Sequence, residues 1–257
     1  MVVTLQPSSS ILLLPDPVTC FASSSYSQTQ TFHLPPIISS SGNASAIILD
    51  WFTSGRMARN EEWAFEKYRS CNEIWIGGRR VARDVMLLEQ HSPTTFTSPS
   101  PSPSPYARPE SKSESESESE FEQTQAPLVT VVGAAPTPSL VARLPPRTLH
   151  DRLAPYACYA TLFLIGPLAS PIISSLSTQF KAIQQMRATK PDRLLWALSP
   201  LNLNIPGESI VEGGGGNEGA IVRVMGMETE LVREWLKRIL EPLKNSIGAD
   251  AYQTAFM

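Results

Sequence analysis

Short apolar runs separated by proline, glycine and serine are the feature of this sequence that most restricts its fold. Residues 11–14 form one such run, polar and apolar residues alternate over 26–34, and another run covers 46–52. Runs of this length, bounded by residues that break regular structure, are typical of β-strands, because helices need a longer period-3.6 pattern. The sequence therefore predicts a mainly β fold built from many short strands.

One pair of these runs has the signature of a hairpin. Residues 74–76 and 79–88 flank two consecutive glycines, Gly77 and Gly78. Glycine adopts positive φ angles without steric cost, and a two-residue primed turn requires them at both central positions. The spacing predicts a tight β-hairpin here.

The second half of the chain combines strands with helices. Helical spacing of apolar residues appears over 171–186 and again over about 230–245, with Ser170 and Thr229 expected as N-caps. Pro242 predicts a kink or an early stop in the second helix, and the tail predicts one further short turn. Two or three α-helices are thus expected in the C-terminal half. Further short apolar runs predict strands at 128–132, 156–165, 194–198 and 220–225.

The composition changes abruptly between Ser92 and Gln125, where alternating proline and serine give way to alternating serine and glutamate. Such a segment buries too little apolar surface to offset its ordering entropy. We expect residues 92–127 to be a disordered insert, with an acidic or phosphorylatable docking tail as the alternative. Residues 1–91 are then a β-rich region, and 128–257 complete the same domain.

Charge and cysteine usage narrow the function classes. The net charge of -3 gives no basic surface for phosphate neutralisation, so nucleic acid is not an expected partner. Cys20, Cys71 and Cys158 lie far apart without a C-x-x-C pair, which favours reduced thiols. The longest apolar stretch, 157–169, is shorter than the roughly 20 residues that cross a bilayer. With no basic leader before the first apolar run, a cytoplasmic protein without membrane contact is expected.

Motifs for covalent chemistry are missing from the sequence. It contains three histidines and no G-x-S-x-G, HExxH or Walker A motif. A literal G-x-G-x-x-G at Gly214, Gly216 and Gly219 precedes a predicted strand rather than a helix, so it is interpreted as a flexible loop. No cluster of closely spaced metal ligands is visible. The sequence predicts a protein that is not an enzyme and that binds no cofactor tightly.

The block from Asp50 to Glu89 contains three tryptophans among arginines and carboxylates. Tryptophan and arginine are enriched at protein–protein hot spots. Two interpretations of the charges stay open: weak pairs on outward strand faces, or some inward groups that line a polar passage. The carboxylates are Asp50, Glu61, Glu62, Glu66, Glu73 and Asp84, and the arginines are Arg56, Arg59, Arg69, Arg79, Arg80 and Arg83.

A family resemblance begins in this block. The string W-x-T-S-G-R-x-A-R-x-E-x-W-x-F, from Trp51 to Phe65, resembles the signature of the urease accessory protein D family. The segments 15–32, 155–167, 194–201 and 221–243 are also similar to the family, in the correct order. The family usually has a further β-rich region before the first of these segments, so the sequence resembles the C-terminal part of a member.

The resemblance implies a fold and a role. The implied fold is β-helical, with many short strands and helices towards the C-terminal end. The implied role is a non-enzymatic nickel-insertion chaperone in protein maturation and nitrogen compound metabolism. It would join urease and the accessory proteins F and G, the latter a GTPase, and pass nickel in transit.

The resemblance also implies site residues. Glu61, in the family's G-R-x-x-x-G-E pattern, is the expected metal-path residue, with Asp50 as a second. Asn60 departs from the family's glycine and is expected to affect the turn that orients Glu61. The residues expected for the signature and for interaction are Trp51, Thr53, Ser54, Gly55, Arg56, Arg59, Trp63 and Trp235.

Two alternatives to this role stay open. One is a generic cytosolic β-sheet module for protein interaction with no metal role. The other, from a different class, is a hydrolase that uses Asp50 and Glu61 as paired carboxylates.

Overall fold

The computed structural model describes residues 1–37, 43–90, 147–183, 192–203 and 218–256. The described residues lie in the compact unit formed by 1–91 and 147–257. The predicted insert 92–127 and the predicted strand 128–132 lie outside the described residues, so both stay predictions.

Ten strands and five α-helices are found in this described part, and the protein is mainly β. The strands are β1 (Val2–Thr4), β2 (Ser10–Leu13), β3 (Val18–Thr19), β4 (Ser25–Leu34), β5 (Ser45–Thr53), β6 (Lys67–Ile76), β7 (Arg79–Glu89), β8 (Cys158–Ile165), β9 (Leu194–Asn202) and β10 (Glu218–Gly226). The α-helices are α1 (Leu149–Leu153), α2 (Ser170–Ile183), α3 (Thr229–Ile239), α4 (Lys244–Ile247) and α5 (Ala249–Thr254).

The strands form two sheets, which we call the first and the second sheet. The first sheet has four strands in the order β1-β4-β6-β7, and its β6–β7 pair is antiparallel while the other pairs are parallel. The second sheet has the order β2-β5-β8-β10-β9, with β3 also beside β5. Its β2 and β3 run parallel to β5, and the remaining neighbours are antiparallel.

The chain winds between the sheets only in its first part. It passes from β1 in the first sheet to β2 and β3 in the second, returns as β4, crosses again as β5 and returns as β6. The winding ends at the β6–β7 hairpin, and the later strands add antiparallel neighbours to the second sheet. The β-helical arrangement implied by the resemblance is therefore not confirmed.

The predicted hairpin is confirmed. Strands β6 and β7 are joined by Gly77 and Gly78, whose φ angles are 56° and 80°. The predicted strands at 11–14, 26–34, 46–52, 156–165, 194–198 and 220–225 are confirmed as β2, β4, β5, β8, β9 and β10.

Both faces of the second sheet are covered. One face packs against the first sheet through an apolar cluster that includes Phe32 and Ile74 from the first sheet and Ile48 and Phe163 from the second. The other face carries alternate residues of the same strands and packs against the helices α2 and α3. Burial on both faces explains why β5 and β8 are almost continuously apolar.

The helices differ from prediction at their ends. A short 3-10 helix, Pro167–Ala169, leads directly into α2, so Ser170 has helical backbone angles and is not an N-cap. At α3 the N-cap position is Glu228, one residue before the predicted Thr229. The predicted stop near Pro242 is confirmed, since α3 ends at Ile239 and a 3-10 helix, Glu241–Leu243, follows. In the described ranges no helix combines the length and the apolar character needed to cross a membrane.

Candidate functional site

Polar side chains line the inner face of both sheets at one level, between two apolar clusters. We call this set the polar belt. From the second sheet it contains Asp50, Thr161 and Arg223, which occupy directly paired positions on β5, β8 and β10. From the first sheet it contains Gln28, Ser70, Asn72 and Asp84 on β4, β6 and β7, where Gln28 pairs with Ser70 and Asn72 with Asp84.

The Asp50 carboxylate connects the two sheets. Gln28 Nε2 donates to Asp50 Oδ1 at 2.7 Å, while Ser70 Oγ and Asn72 Nδ2 each donate to Asp50 Oδ2 at 2.5 Å. A carboxylate taken out of bulk water stays charged only where hydrogen bonds, a cation or bound water replace its hydration. The three donors meet part of that requirement.

Asp84 occupies the neighbouring part of the belt. Arg223 forms an ion pair with Asp84, and the Thr161 hydroxyl donates to Asp84 Oδ2 at 3.4 Å. This pair joins β7 of the first sheet to β10 of the second. The two sheets are therefore bridged by polar contacts at two points.

Two buried acceptor atoms have no hydrogen-bond partner within the described residues: Oδ1 of the belt residue Asn72, and Oε1 of Gln30, which pairs with Asn72 across β4 and β6. The Asn72 side chain is 1% exposed. An unpaired buried acceptor costs about 1–3 kcal/mol unless water or a cation satisfies it. The belt thus contains atoms that can receive a water molecule or an ion.

A cavity of about 320 Å³ adjoins the belt, between Met86 of β7 and Leu195 of β9. These strands are the last of their sheets in the described part of the chain. Asp50, Thr161 and Arg223 line it. Arg223 is exposed, so the cavity reaches the surface.

Three stacked aromatic rings form one wall of this cavity. The Phe52 ring lies 4.2 Å from the Tyr68 ring and 5.6 Å from the Tyr159 ring, measured between centroids. Burial, and then the negative charge of Asp50, raises the pKa of Tyr68 above its ordinary value of 10.0. Tyr68 is therefore a neutral hydroxyl at physiological pH and does not add charge to the cavity.

The structure places Glu61 away from the belt, in the loop after β5. Its carboxylate accepts from Arg56 Nε at 2.7 Å and from Arg56 Nη2 at 2.6 Å, and it also accepts from the Ala22 amide at 3.2 Å. Hydrogen bonding by Arg56 lowers the pKa of Glu61, and the positive charge of Arg59 acts in the same direction. Asp50 and Glu61 share no partner in the described contacts, so the structure does not bring the two predicted metal-path residues together.

The loop that holds Glu61 contains three residues with positive φ, which are Gly55, Asn60 and Trp63. Gly55 has φ 134°, and a Cβ at that position would lie 2.0 Å from the Glu61 carbonyl oxygen. Asn60 has φ 55° in the left-handed region, and its amide donates to the Met57 carbonyl at 3.0 Å. Asparagine tolerates this conformation better than most residues do, so the turn forms without the family's glycine.

Three of the tryptophans that were expected for the signature or for interaction are buried in the core. Trp51, Trp63 and Trp235 are only 3%, 2% and 5% exposed. Trp51 lies on the helix side of β5 and donates to the Pro15 carbonyl at 2.7 Å, whereas Trp235 packs on Trp196 at 5.5 Å between ring centroids. In the Asp50–Glu89 block, Trp51 and Trp63 therefore belong to the core, whereas Trp75 is only partly buried.

Thr53 and Ser54 are buried as well. The hydroxyls of Thr53 and Thr19 lie 3.0 Å apart, joining β5 to β3. The Ser54 amide donates to the Ala157 carbonyl at 2.7 Å. These two residues anchor the start of the loop 54–66 between β5 and β6, which we call the signature loop.

Several belt residues were missed from the sequence. Gln28, Ser70, Asn72, Thr161 and Arg223 lie at alternate strand positions that otherwise carry apolar residues of the inner face, and this interruption was the available signal. Their meeting depends on register between strands far apart in sequence, which the pattern within one strand does not determine.

Comparison with known proteins bears on the same region. Residues 1–101, which include most of the belt and the whole signature loop, match the model of the family described as UreD urease accessory protein. Over these residues the chain is similar to the UreD family. The chain is 29% identical over 245 residues to urease accessory protein 4 of Cryptococcus neoformans, covering 93% of this chain and 56% of that protein.

Other relatives agree with this assignment. Urease accessory protein D of Oryza sativa subsp. indica is 25% identical over 246 residues, covering 93% of this chain and 61% of that protein. Urease accessory protein UreD of Anaeromyxobacter is 43% identical over 75 residues, covering 29% of this chain and 23% of that protein. The chain thus spans 56% and 61% of the length of these two relatives.

Proposed function

We propose that this chain acts in urease maturation as a non-enzymatic scaffold that passes nickel towards apo-urease. Its similarity to the UreD family model and the names of its relatives, all urease accessory proteins, support the maturation role. The polar belt is the observation that supports a route for the metal. Nickel is the cargo of this role, and the chain holds it only in transit.

The chemistry of the belt suits a passing cation. Nickel accepts carboxylate and other oxygen ligands as well as imidazole, and the belt supplies the Asp50 carboxylate and the open amide oxygen of Asn72, which contacts Asp50. No group of three or more His, Cys, Asp or Glu side chains that could hold a metal occurs in the part of the chain that the structure describes. An ion must bind well enough to enter a route and weakly enough to leave it. A single carboxylate with neutral oxygens meets both conditions.

The proposed partners are urease and the accessory proteins F and G, in the cytoplasm. The buried tryptophans offer no contact surface. Exposed side chains of the signature loop, together with the neighbouring Phe21, do offer one. Phe21 and Met57 are 56% and 55% exposed, and the Arg56 guanidinium lies 4.2 Å from the centroid of the Phe21 ring. Exposed apolar side chains beside a fixed arginine have the composition of an interaction hot spot.

The decisive test replaces Asp50 with asparagine, which keeps the size of the side chain and removes its charge. Cells that lack the native gene would be complemented with Asp50→Asn or with the control Glu73→Gln. Glu73 lies on the outer face of the first sheet and pairs with Arg80 at 3.1 Å. We expect nickel per urease to fall at least about tenfold with Asp50→Asn and to stay normal with Glu73→Gln. Normal nickel content with both variants, at equal protein levels, would exclude the belt as the route.

Glu61 needs a separate test, because it lies outside the belt. If Glu61 acts on the metal path, Glu61→Ala lowers urease activation even when the complex with the partners still forms. Unchanged activation removes Glu61 from the path.

A protein-interaction module without a metal role is the second candidate, and the exposed Phe21 and Met57 favour it. This candidate predicts that deletion of the gene leaves the nickel content of urease normal. The scaffold proposal predicts apo-urease in the same cells. Measuring nickel in purified urease from the deletion strain separates the two.

A further inference from the structure

The cavity beside the polar belt has the dimensions of a site for one side chain. Its volume of about 320 Å³ lies at the lower end of ligand pockets, which span roughly 300–1,000 Å³. Its lining includes Met86 and Leu195, on the last strands of the two sheets in the described part of the chain, and it reaches the surface at the exposed Arg223. A partner segment that crosses this opening can therefore insert a long side chain without separating the sheets.

The charges around the cavity are unbalanced. Arg223 is neutralised by its ion pair with Asp84. Asp50, which also lines the cavity, has hydrogen bonds to neutral donors and no ion pair within the described ranges. Its Oδ1 receives only the Gln28 donor, so that oxygen has capacity for another. The cavity therefore carries one negative charge that a cation can balance.

The aromatic wall narrows the kind of cation. Phe52, Tyr68 and Tyr159 line the cavity together with Asp50. A cation near the face of an aromatic ring is attracted by the ring quadrupole, and the attraction increases when water is excluded. A planar guanidinium stacks flat on such rings while one of its N–H groups donates to the open carboxylate oxygen, whereas an ammonium group does not stack. A hydrated metal ion gains little from the apolar part of the wall.

We propose that this cavity receives an arginine side chain from a partner protein, with its guanidinium packed on the aromatic wall and paired with Asp50. This inference rests on the proposed function, in which the chain binds partner proteins, and it specifies the side chain with which one partner binds at the belt. Arginine and nickel then compete for Asp50, so the inserted side chain also closes the belt at this opening.

Peptide titration tests the proposal on the full chain. The probe is the capped peptide Ac-Gly-Ser-Arg-Ser-Gly-NH2, measured by isothermal titration calorimetry beside the same peptide with citrulline or lysine in place of arginine. Citrulline has nearly the same shape as arginine and no charge. We expect citrulline to weaken binding at least about tenfold and lysine to weaken it several-fold.

Protein variants then locate the site. Asp50→Asn should weaken binding of the arginine peptide about tenfold and remove most of its advantage over citrulline, and Tyr159→Leu should weaken it several-fold. The control Glu73→Gln should bind like wild type. Equal binding of the arginine and citrulline peptides to the wild-type chain would overturn the proposal without any variant, and equal binding of the lysine peptide would overturn the assignment to arginine.

The same variant separates this inference from the nickel route. If Asp50→Asn loses peptide binding but still yields nickel-loaded urease, the arginine site holds and the nickel route fails. If it loses nickel delivery while binding the arginine peptide like wild type, the arginine site is excluded and the route holds.

Discussion

Asn72 on β6 and Asp50 on β5 lie in opposite sheets, and Asn72 Nδ2 donates to Asp50 Oδ2 at 2.5 Å. This contact crosses the interior at a level where the layers above and below are apolar. This polar bridge fixes the position of one sheet relative to the other. If either sheet were displaced along its strands, the Asp50 carboxylate would lie among apolar side chains of the facing sheet.

Asp50→Ala should destabilise the fold by about 3 kcal/mol, because it leaves the Gln28, Ser70 and Asn72 donors without their acceptor. Urea denaturation measures the change. Glu73→Gln is the control, since its surface pairs contribute no more than about 1 kcal/mol. An equal loss in both variants would contradict the bridging role of Asp50.

Gly55→Ala should destabilise the fold by about 3 kcal/mol or more, because φ at this position is 134° and the new Cβ would meet the Glu61 carbonyl oxygen at 2.0 Å. Gly78→Ala is the matched control. Its φ is 80°, and no atom lies within 4 Å of the added Cβ. The free energy of unfolding of the control should fall by only about 1–2 kcal/mol, which is the cost of an alanine in the left-handed conformation. Similar unfolding midpoints for the two variants would show that the signature loop adjusts freely.

The Arg56–Glu61 pair should make stability depend on pH. Arg56 lowers the pKa of Glu61 in the folded chain, so the folded state binds the proton less tightly than the unfolded state does. The stabilisation is fully present above the ordinary pKa of 4.5 and is lost as the pH falls through the lower folded value. Melting curves of wild type and Glu61→Gln should therefore differ at pH 7 and converge in acid. A constant difference across this range would exclude the ion pair as its cause.

Removal of residues 92–146 should leave the fold intact. Gln90 Oε1 accepts from the Leu149 amide at 3.4 Å, and Leu149 is fully buried, so the described residues on the two sides of the removed segment are adjacent. A glycine–serine linker of about seven residues would join these residues. The shorter loop would lower the entropic free-energy cost of loop closure by about 2 kcal/mol. Circular dichroism and thermal melting should show an equal or higher Tm. A large loss of stability would show that this segment packs on the rest of the chain.

Local features of the sequence predicted well where the structure is decided locally. Gly77 and Gly78 predicted the hairpin because the turn geometry depends on those two residues, and Pro242 predicted the helix stop because proline has no amide to donate. The N-caps at Ser170 and Thr229 were wrong, because the preceding residues extend or define each helix start. Strands β1 and β3 and the helix α1 were too short to give a periodic signal.

The alternation of residue types along this chain determined that it folds mainly as β-strands, and the Trp51 to Phe65 string determined its family resemblance. The tertiary structure decided which charges are internal. Asp50 faces the interior whereas Glu61 pairs with Arg56 in a loop, although both belong to one short acidic and basic segment. The reason is that the face of a strand follows from its own pattern, but the groups opposite it follow from the register and crossing of strands distant in sequence.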